Sequence, residues 1–251
     1  MSEFFVGYLP KAPPGIARLI RIVVVLLLLL AAVGSIVFAR VQRTFAPSTF
    51  EFGKVGAFEG VLETNPYPML IVAKPGAAGA EVASTAYLLV AEGKHGADSE
   101  AADYNGKSVK LRGTLIYRDH HMMIEVVKGS IAATNTAAQP RPAAIQLGTF
   151  ELTGEIVDSK CYLGVMNPGS GKVHRDCAAR CLSGGVPPAF VTNDLLGSPA
   201  FFLLTGGNQG PLPKEAFLKW IDQPVRIRGE VLRSGDTLYL QTSAEGITPL
   251  P

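Results

Sequence analysis

The longest run of apolar residues lies near the N-terminus, between Arg21 and Arg40. It reads IVVVLLLLLAAVGSIVFA and carries no charge over eighteen residues. A helix in a soluble domain would keep a polar stripe, whereas this run is apolar on every side. Eighteen residues are close to the shortest helix that crosses a bilayer core of about 30 Å. The pattern predicts a transmembrane anchor over residues 22–39.

Beyond the anchor, apolar and polar residues alternate with the period of a half-buried β-strand. Val109, Leu111 and Leu115 follow this pattern in one segment, and Val225 and Ile227 follow it in a second. A turn and another alternating segment come after each of them. The chain beyond the anchor is therefore predicted to be mostly β.

The two alternating segments belong to an internal repeat. SVKLRGTLIYRDHHMMIEV at residues 108–126 aligns without a gap with PVRIRGEVLRSGDTLYLQT at residues 224–242. Upstream, AYLLVAEGKHG matches AFFLLTGGNQG, and FEGVLE matches LTGEIV, in the same order. Three similar blocks in one order indicate a duplicated unit.

Each copy is predicted to contain five strands with a short helical segment between the third and the fourth. This is the element order of an OB-fold barrel. We therefore expect a single transmembrane helix followed by two tandem OB-like small β-barrels, OB-like domain 1 at residues 49–134 and OB-like domain 2 at residues 147–251. Residues 135–146, rich in Pro, Ala and Gln, are predicted to form an extended linker.

Charged residues around the anchor predict the side of the membrane on which the barrels lie. Lys11, Arg18 and Arg21 precede the apolar run, and a short basic N-terminal tail usually stays in the cytoplasm. Residues 1–21 are thus predicted to be a cytoplasmic tail, with the barrels on the periplasmic side of a bacterial inner membrane. The alternative is a cleaved signal peptide, for which Val37-Phe38-Ala39 would be the cleavage site.

Copy two is twenty residues longer than copy one between its first and third strands. The additional segment, residues 161–185, contains all three cysteines of the chain and one of its four histidines. Copy one has no cysteine at the corresponding place. Because one barrel forms without this Cys/His insert, we expect the insert to have a role of its own.

The insert is predicted to form a helix that begins near Lys172 and is capped by Ser170. Such a helix places His174, Cys177 and Cys181 on one face. Two glycines and two prolines that follow the segment are expected to end the helix.

Cys161 follows the first strand of copy two and is expected to meet that face of the helix. Cys161, His174, Cys177 and Cys181 would form a Cys₃His set suited to zinc, with copper as the second choice. Asp158 is predicted to accept a hydrogen bond from His174 and so to support this metal ligand. The competing interpretation is a disulfide, Cys161–Cys177 or Cys161–Cys181, in an oxidising compartment.

The segment GEIVDSKCYLG…HRDCAARCLSGGVPP, residues 154–188, resembles a set of secreted bacterial OB-like domains of uncharacterised function. Their pattern G-x3-D-x2-C, followed by H-x2-C-A-x2-C, falls on Gly154, Asp158, Cys161, His174, Cys177 and Cys181. The resemblance covers the second domain. It implies an OB-like fold and an extracytoplasmic site, and it implies no particular reaction.

Composition and motifs narrow the function classes. We recognise no catalytic motif in the sequence, and a net charge of +2 with no concentrated basic face does not favour nucleic-acid binding. We predict a non-enzymatic accessory or assembly subunit of a larger membrane complex, for example a respiratory one. It would contact integral membrane proteins, and it would contact the lipid bilayer through residues 22–39. The alternative is a periplasmic metal-binding or redox protein that uses the Cys₃His set, and a more remote one is an OB protein that binds single-stranded nucleic acid.

Overall fold

The apolar run near the N-terminus forms a helix without a polar face. A computed structural model describes residues 11–41, 48–73, 84–136, 143–195 and 198–250, without the side chains at 194, 195 and 198. Helix α1, Pro14–Val41, begins at a proline, a residue that is favoured in the first helical turn. Its 28 residues extend over about 42 Å, and the helix is long and apolar enough to cross a membrane.

The predicted span 22–39 lies within α1. Of the predicted cytoplasmic tail, residues 14–21 continue the same helix toward the N-terminus. Residues 1–10 of that tail lie outside the described residues.

Five strands build the first barrel, and a short sixth strand extends it. They are β1 Ser48–Glu63, β2 Met69–Ala73, β3 Ser84–Val90, β4 Ser108–Arg118, β5 His121–Val126 and β6 Ala132–Ala133. A helical segment, α2 Asp98–Ala101 with a 3₁₀ turn Ala102–Tyr104, separates β3 from β4. This segment occupies the place that the OB-fold order predicts.

The first barrel closes because β1 pairs with both β2 and β4. The order around the barrel is β1-β2-β3-β5-β4. The pairing of β3 with β5 is parallel, and the other four pairings are antiparallel. This is the topology of an OB-fold, in which closure leaves no free edge among the five barrel strands.

The second barrel repeats the first in the same order. Its strands are β7 Ile145–Asp158, β8 Pro188–Leu195, β9 Ser198–Thr205, β10 Pro224–Ser234, β11 Thr237–Gln241 and β12 Ile247–Pro249, with helices α3 Arg175–Ser183 and α4 Lys214–Phe217. The closed order is β7-β8-β9-β11-β10, and β9 and β11 are again parallel. The prediction of a mostly β chain with an apolar helix and two tandem OB-like barrels is confirmed.

Glycines at matching positions of the two copies lie where neighbouring backbones approach closely. A Cβ on Gly60 would lie 2.4 Å from the carbonyl oxygen of Ile71. One on Gly154 would lie 2.1 Å from the carbonyl oxygen of Val191. Both glycines lie in the first strand of their barrel and face the second strand, so a side chain at either position would force the strands apart.

Each barrel has its own hydrophobic core, and a third core joins the two barrels. Barrel one contributes Met69 and Met123 to this shared core, and barrel two contributes Leu203 and Tyr239. A buried hydrogen bond of 2.6 Å from the Tyr67 hydroxyl in barrel one to the Leu204 carbonyl in barrel two adds to the contact. The barrels therefore form one compact unit, Ala46–Pro251, which is distinct from the N-terminal unit, Met1–Phe45.

The predicted linker, residues 135–146, is described only at its ends. Residues 137–142 lie outside the described residues, and β7 already begins at Ile145.

Candidate metal centre

Cys161 is positioned by the end of the first strand of barrel two. Strand β7 ends at Asp158, and the chain then makes a wide turn in which the Met166 N–H donates to the Cys161 carbonyl over 3.2 Å. Oδ1 of Asp158 accepts a 2.7 Å hydrogen bond from the Cys161 N–H. This bond fixes the first residue of the turn, as an aspartate commonly does.

Cys177 and Cys181 are one turn apart on α3, Arg175–Ser183, so their side chains share a helix face. The predicted start near Lys172 is too early, because residues 172–174 form a turn and the helix begins at Arg175. Ser170 does not cap the helix with its side chain, and His174 occupies the position before the first helical residue.

The three thiols meet where barrel two contacts barrel one. The Sγ atoms of Cys161, Cys177 and Cys181 lie within 4.8 Å of one another, and those of Cys161 and Cys177 are 4.0 Å apart. All three cysteines are free. Cys161 and Cys181 are buried in the shared core, and Cys177 is half-buried at its edge. The predicted convergence of the cysteines is therefore present, without either of the disulfides that compete with it.

Lys94 of barrel one covers the thiol group. Its Nζ lies 2.8 Å from Cys177 Sγ and 3.8 Å from Cys181 Sγ. The hydrogen bond to Cys177, supported by the nearby thiols, raises the pKa of Lys94. An ammonium group at hydrogen-bond distance favours the thiolate form of a cysteine.

Barrel one presents Lys94 on a loop that is held by contacts from barrel two. The buried Lys160 donates from Nζ to the carbonyls of Ala91 (2.9 Å) and Gly93 (2.7 Å). A Cβ on Gly184, just beyond α3, would lie only 1.9 Å from the Lys94 carbonyl oxygen. The glycine therefore permits the loop and the end of the helix to touch.

The pKa values of Cys161 and Cys181 are shifted in opposite directions. The hydrogen bond with Cys161 lowers the pKa of Cys181. The same hydrogen bond, together with burial, raises the pKa of Cys161. The lowered pKa of Cys181 favours its thiolate, which is the form that binds metals.

His174 lies between two buried carboxylates. Its Nδ1 is 3.0 Å from Asp222 Oδ2 and its Nε2 is 3.4 Å from Asp158 Oδ2. Burial disfavours the charged imidazole, but the hydrogen bond to Asp222 and the charge of Asp158 outweigh it and raise the pKa of His174. Burial also raises the pKa of Asp158, and the charge of His174 offsets only part of this.

The predicted ligands form two overlapping groups, and Cys161 belongs to both. Cys161, Cys177 and Cys181 make the first group, and Asp158, Cys161 and His174 make the second. His174 thus approaches the thiol group on its Cys161 side. Asp158 faces His174 over 3.4 Å without making the predicted hydrogen bond to it, and it caps the turn at Cys161.

Comparisons with protein-family models, with curated proteins and with solved structures found no match to this chain. We therefore infer function from the chemistry of the site.

Two residues of the site, Lys94 and Asp222, are missing from the sequence-based prediction. Lys94 belongs to a loop of the other barrel, and no spacing links it to the cysteines. Asp222 could have been found from the sequence, because the repeat aligns it with Gly106 of copy one. Both residues have a positive φ, 73° for Gly106 and 51° for Asp222. An aspartate at a position where copy one has a glycine marks a site that tolerates backbone strain.

Proposed function

We propose that this protein is a membrane-anchored metal-binding protein that holds zinc or copper(I) with the thiolates of Cys161, Cys177 and Cys181. The observation that carries the proposal is the convergence of three free thiols to within 4.8 Å of one another. The site would lie on the periplasmic side of a bacterial inner membrane, held there by α1.

The sulfur spacing suits a metal ion. Zinc–sulfur bonds of about 2.3 Å place sulfurs about 3.8 Å apart in a tetrahedron and about 4.0 Å apart in a trigonal plane. The 4.0 Å between Cys161 and Cys177 is close to both. A disulfide would require these atoms to approach to about 2.05 Å.

The charges around the thiols support the same proposal. Three thiolates in a largely buried site need compensation, and the Lys94 ammonium supplies part of it. The soft thiolate ligands favour zinc or copper(I) over magnesium or calcium. Three protein ligands would complete a trigonal copper(I) site or leave one position of a zinc ion open to another ligand.

The predicted role as an accessory subunit of a membrane complex remains a prediction, and it is compatible with metal binding. A helix in the bilayer keeps the metal site near integral membrane proteins and so raises its effective concentration there. Metal storage beside such a partner, or delivery to it, would combine the two roles.

The test is a paired measurement of metal and thiols on full-length protein that is purified in detergent without chelators. We expect bound zinc or copper together with three free thiols per chain after denaturation. Cys177→Ser should lose the thiol-bound metal while its circular dichroism remains that of the wild type. A protein with one free thiol and no metal would instead carry a disulfide, and the proposal would be wrong.

A further inference from the structure

We propose that the site binds two metal ions, the second of them held by Asp158 and His174 with the Cys161 thiolate as a bridge. The inference rests on the proposed function, because Cys161 belongs to both ligand groups. The ligand atoms of Asp158, Cys161 and His174 lie within 4.8 Å of one another.

The hydrogen bond to Asp222 fixes the His174 ring. The Asp222 carboxylate is 3.0 Å from Nδ1, so this nitrogen donates and carries the proton. In the neutral imidazole Nε2 then carries the lone pair and faces Asp158, and a metal ion there would take the place of the second ring proton that the two carboxylates otherwise favour. Asp222 is itself held in place by the 2.8 Å hydrogen bond from its backbone N–H to the Ile156 carbonyl. A carboxylate behind a histidine in this way is the usual support of a metal-binding imidazole.

Without a second proton on the ring, two acceptor atoms face each other in the interior. His174 Nε2 and Asp158 Oδ2 are 3.4 Å apart, and neither has a hydrogen-bond partner among the described residues. The two side chains are 1% and 0% exposed, so bulk water does not solvate them. Two such atoms in a buried place need either a proton or a metal ion between them.

The distance fits a metal ion. Bonds of about 2.0–2.1 Å from zinc to a nitrogen and to an oxygen place the two ligand atoms about 3.4 Å apart at a tetrahedral angle. Oδ1 of Asp158 is occupied by the Cys161 N–H, and this bond aims Oδ2 at His174. Cys161 Sγ supplies the third ligand of the group.

The charge of the site also favours two divalent ions. With both metal positions occupied, the three thiolates and the carboxylates of Asp158 and Asp222 would carry five negative charges, and the ammonium of Lys94 would offset one of them. The remaining four negative charges would be neutralised by two divalent cations, whereas one would leave the buried site negative.

Cobalt(II) titration of the metal-free, full-length protein in detergent tests this inference. We expect two equivalents to bind, with a thiolate-to-cobalt charge-transfer band in the ultraviolet. His174→Gln should bind one equivalent and keep that band. Asp222→Asn should lower the affinity for the second equivalent of cobalt by about 10–100-fold, because the imidazole of His174 loses the carboxylate that supports it. His95→Gln, at an exposed loop histidine, is the matched control and should bind two equivalents.

The outcomes separate the inference from the proposed function. One contradicting result is a wild-type protein that binds a single equivalent with a charge-transfer band, together with a His174→Gln variant in which that binding is unchanged. This result would show that there is no second metal position and that a proton lies between His174 and Asp158. A protein without any thiolate-to-cobalt band would overturn the thiol site itself. Should His174→Gln not fold, Asp158→Asn, which retains the shape of the side chain, is expected to reduce the binding to one equivalent.

Discussion

Replacing Lys160 by methionine is expected to lower the free energy of unfolding of the two-barrel unit by about 3 kcal/mol. Lys160 belongs to barrel two, and its ammonium contacts the Glu125 carboxylate and two backbone carbonyls of barrel one. The lysine side chain is 3% exposed. Its removal would leave the Glu125 charge and both carbonyls without their partner in a largely buried place. Denaturant unfolding of the full-length protein in detergent measures the effect.

Lys110→Met is the matched control for Lys160→Met. Lys110 also pairs with a glutamate, Glu59, at 3.3 Å, but its side chain is 65% exposed. An exposed ion pair of this kind contributes at most about 1 kcal/mol. Equal stability of the two variants would show that Lys160 does not join the barrels in solution.

Phe190→Ala is expected to cost about 4 kcal/mol of unfolding free energy. Phe190 is fully buried in the core of barrel two, with its ring centroid 6.4 Å from that of Phe202. The truncation removes apolar contacts and leaves a cavity between β8 and β9, which the closed barrel can fill only in part. Thermal unfolding in detergent, followed by circular dichroism, checks the prediction.

Phe52→Ala removes the same atoms from a side chain that is 82% exposed, and it should change the unfolding free energy by less than about 0.5 kcal/mol. A similar small effect at Phe190 would contradict a separate core in barrel two.

The barrels could be predicted because their pattern occurs twice. Alternation in one segment, such as Val109 to Leu115, fits many β folds. Its recurrence at Val225 and Ile227, with a helical segment at the same place, specifies five strands and their order. The Cys/His insert could be recognised from the same comparison of the two copies, because copy one lacks it. Local spacing also placed Cys177 and Cys181 on one helix face, because both residues belong to one element.

What the sequence did not reveal depends on contacts between the barrels. Lys94 reaches the thiols only because the shared core and Lys160 hold its loop against the end of α3. No residue pattern encodes the relative placement of two closed barrels. Asp222 reaches His174 through the turn that follows the helical segment of barrel two. A comparison with Gly106 would have marked this position, because a left-handed backbone disfavours a side chain.

The separation of His174 from the complete thiol group has a local cause as well. The helix begins after His174, and the imidazole groups with Cys161 and Asp158 and not with all three thiols. It contacts Asp158 and Asp222. The predicted helix start near Lys172, three residues earlier, placed His174 on the same face as Cys177 and Cys181.

X-ray absorption spectroscopy at the edge of the bound metal, recorded on full-length protein in detergent, reports directly on the ligands. If the three cysteines hold the ion, the nearest shell consists mainly of sulfur at about 2.3 Å. A shell of nitrogen and oxygen alone, at about 2.0–2.1 Å, would show that the thiols do not bind the metal.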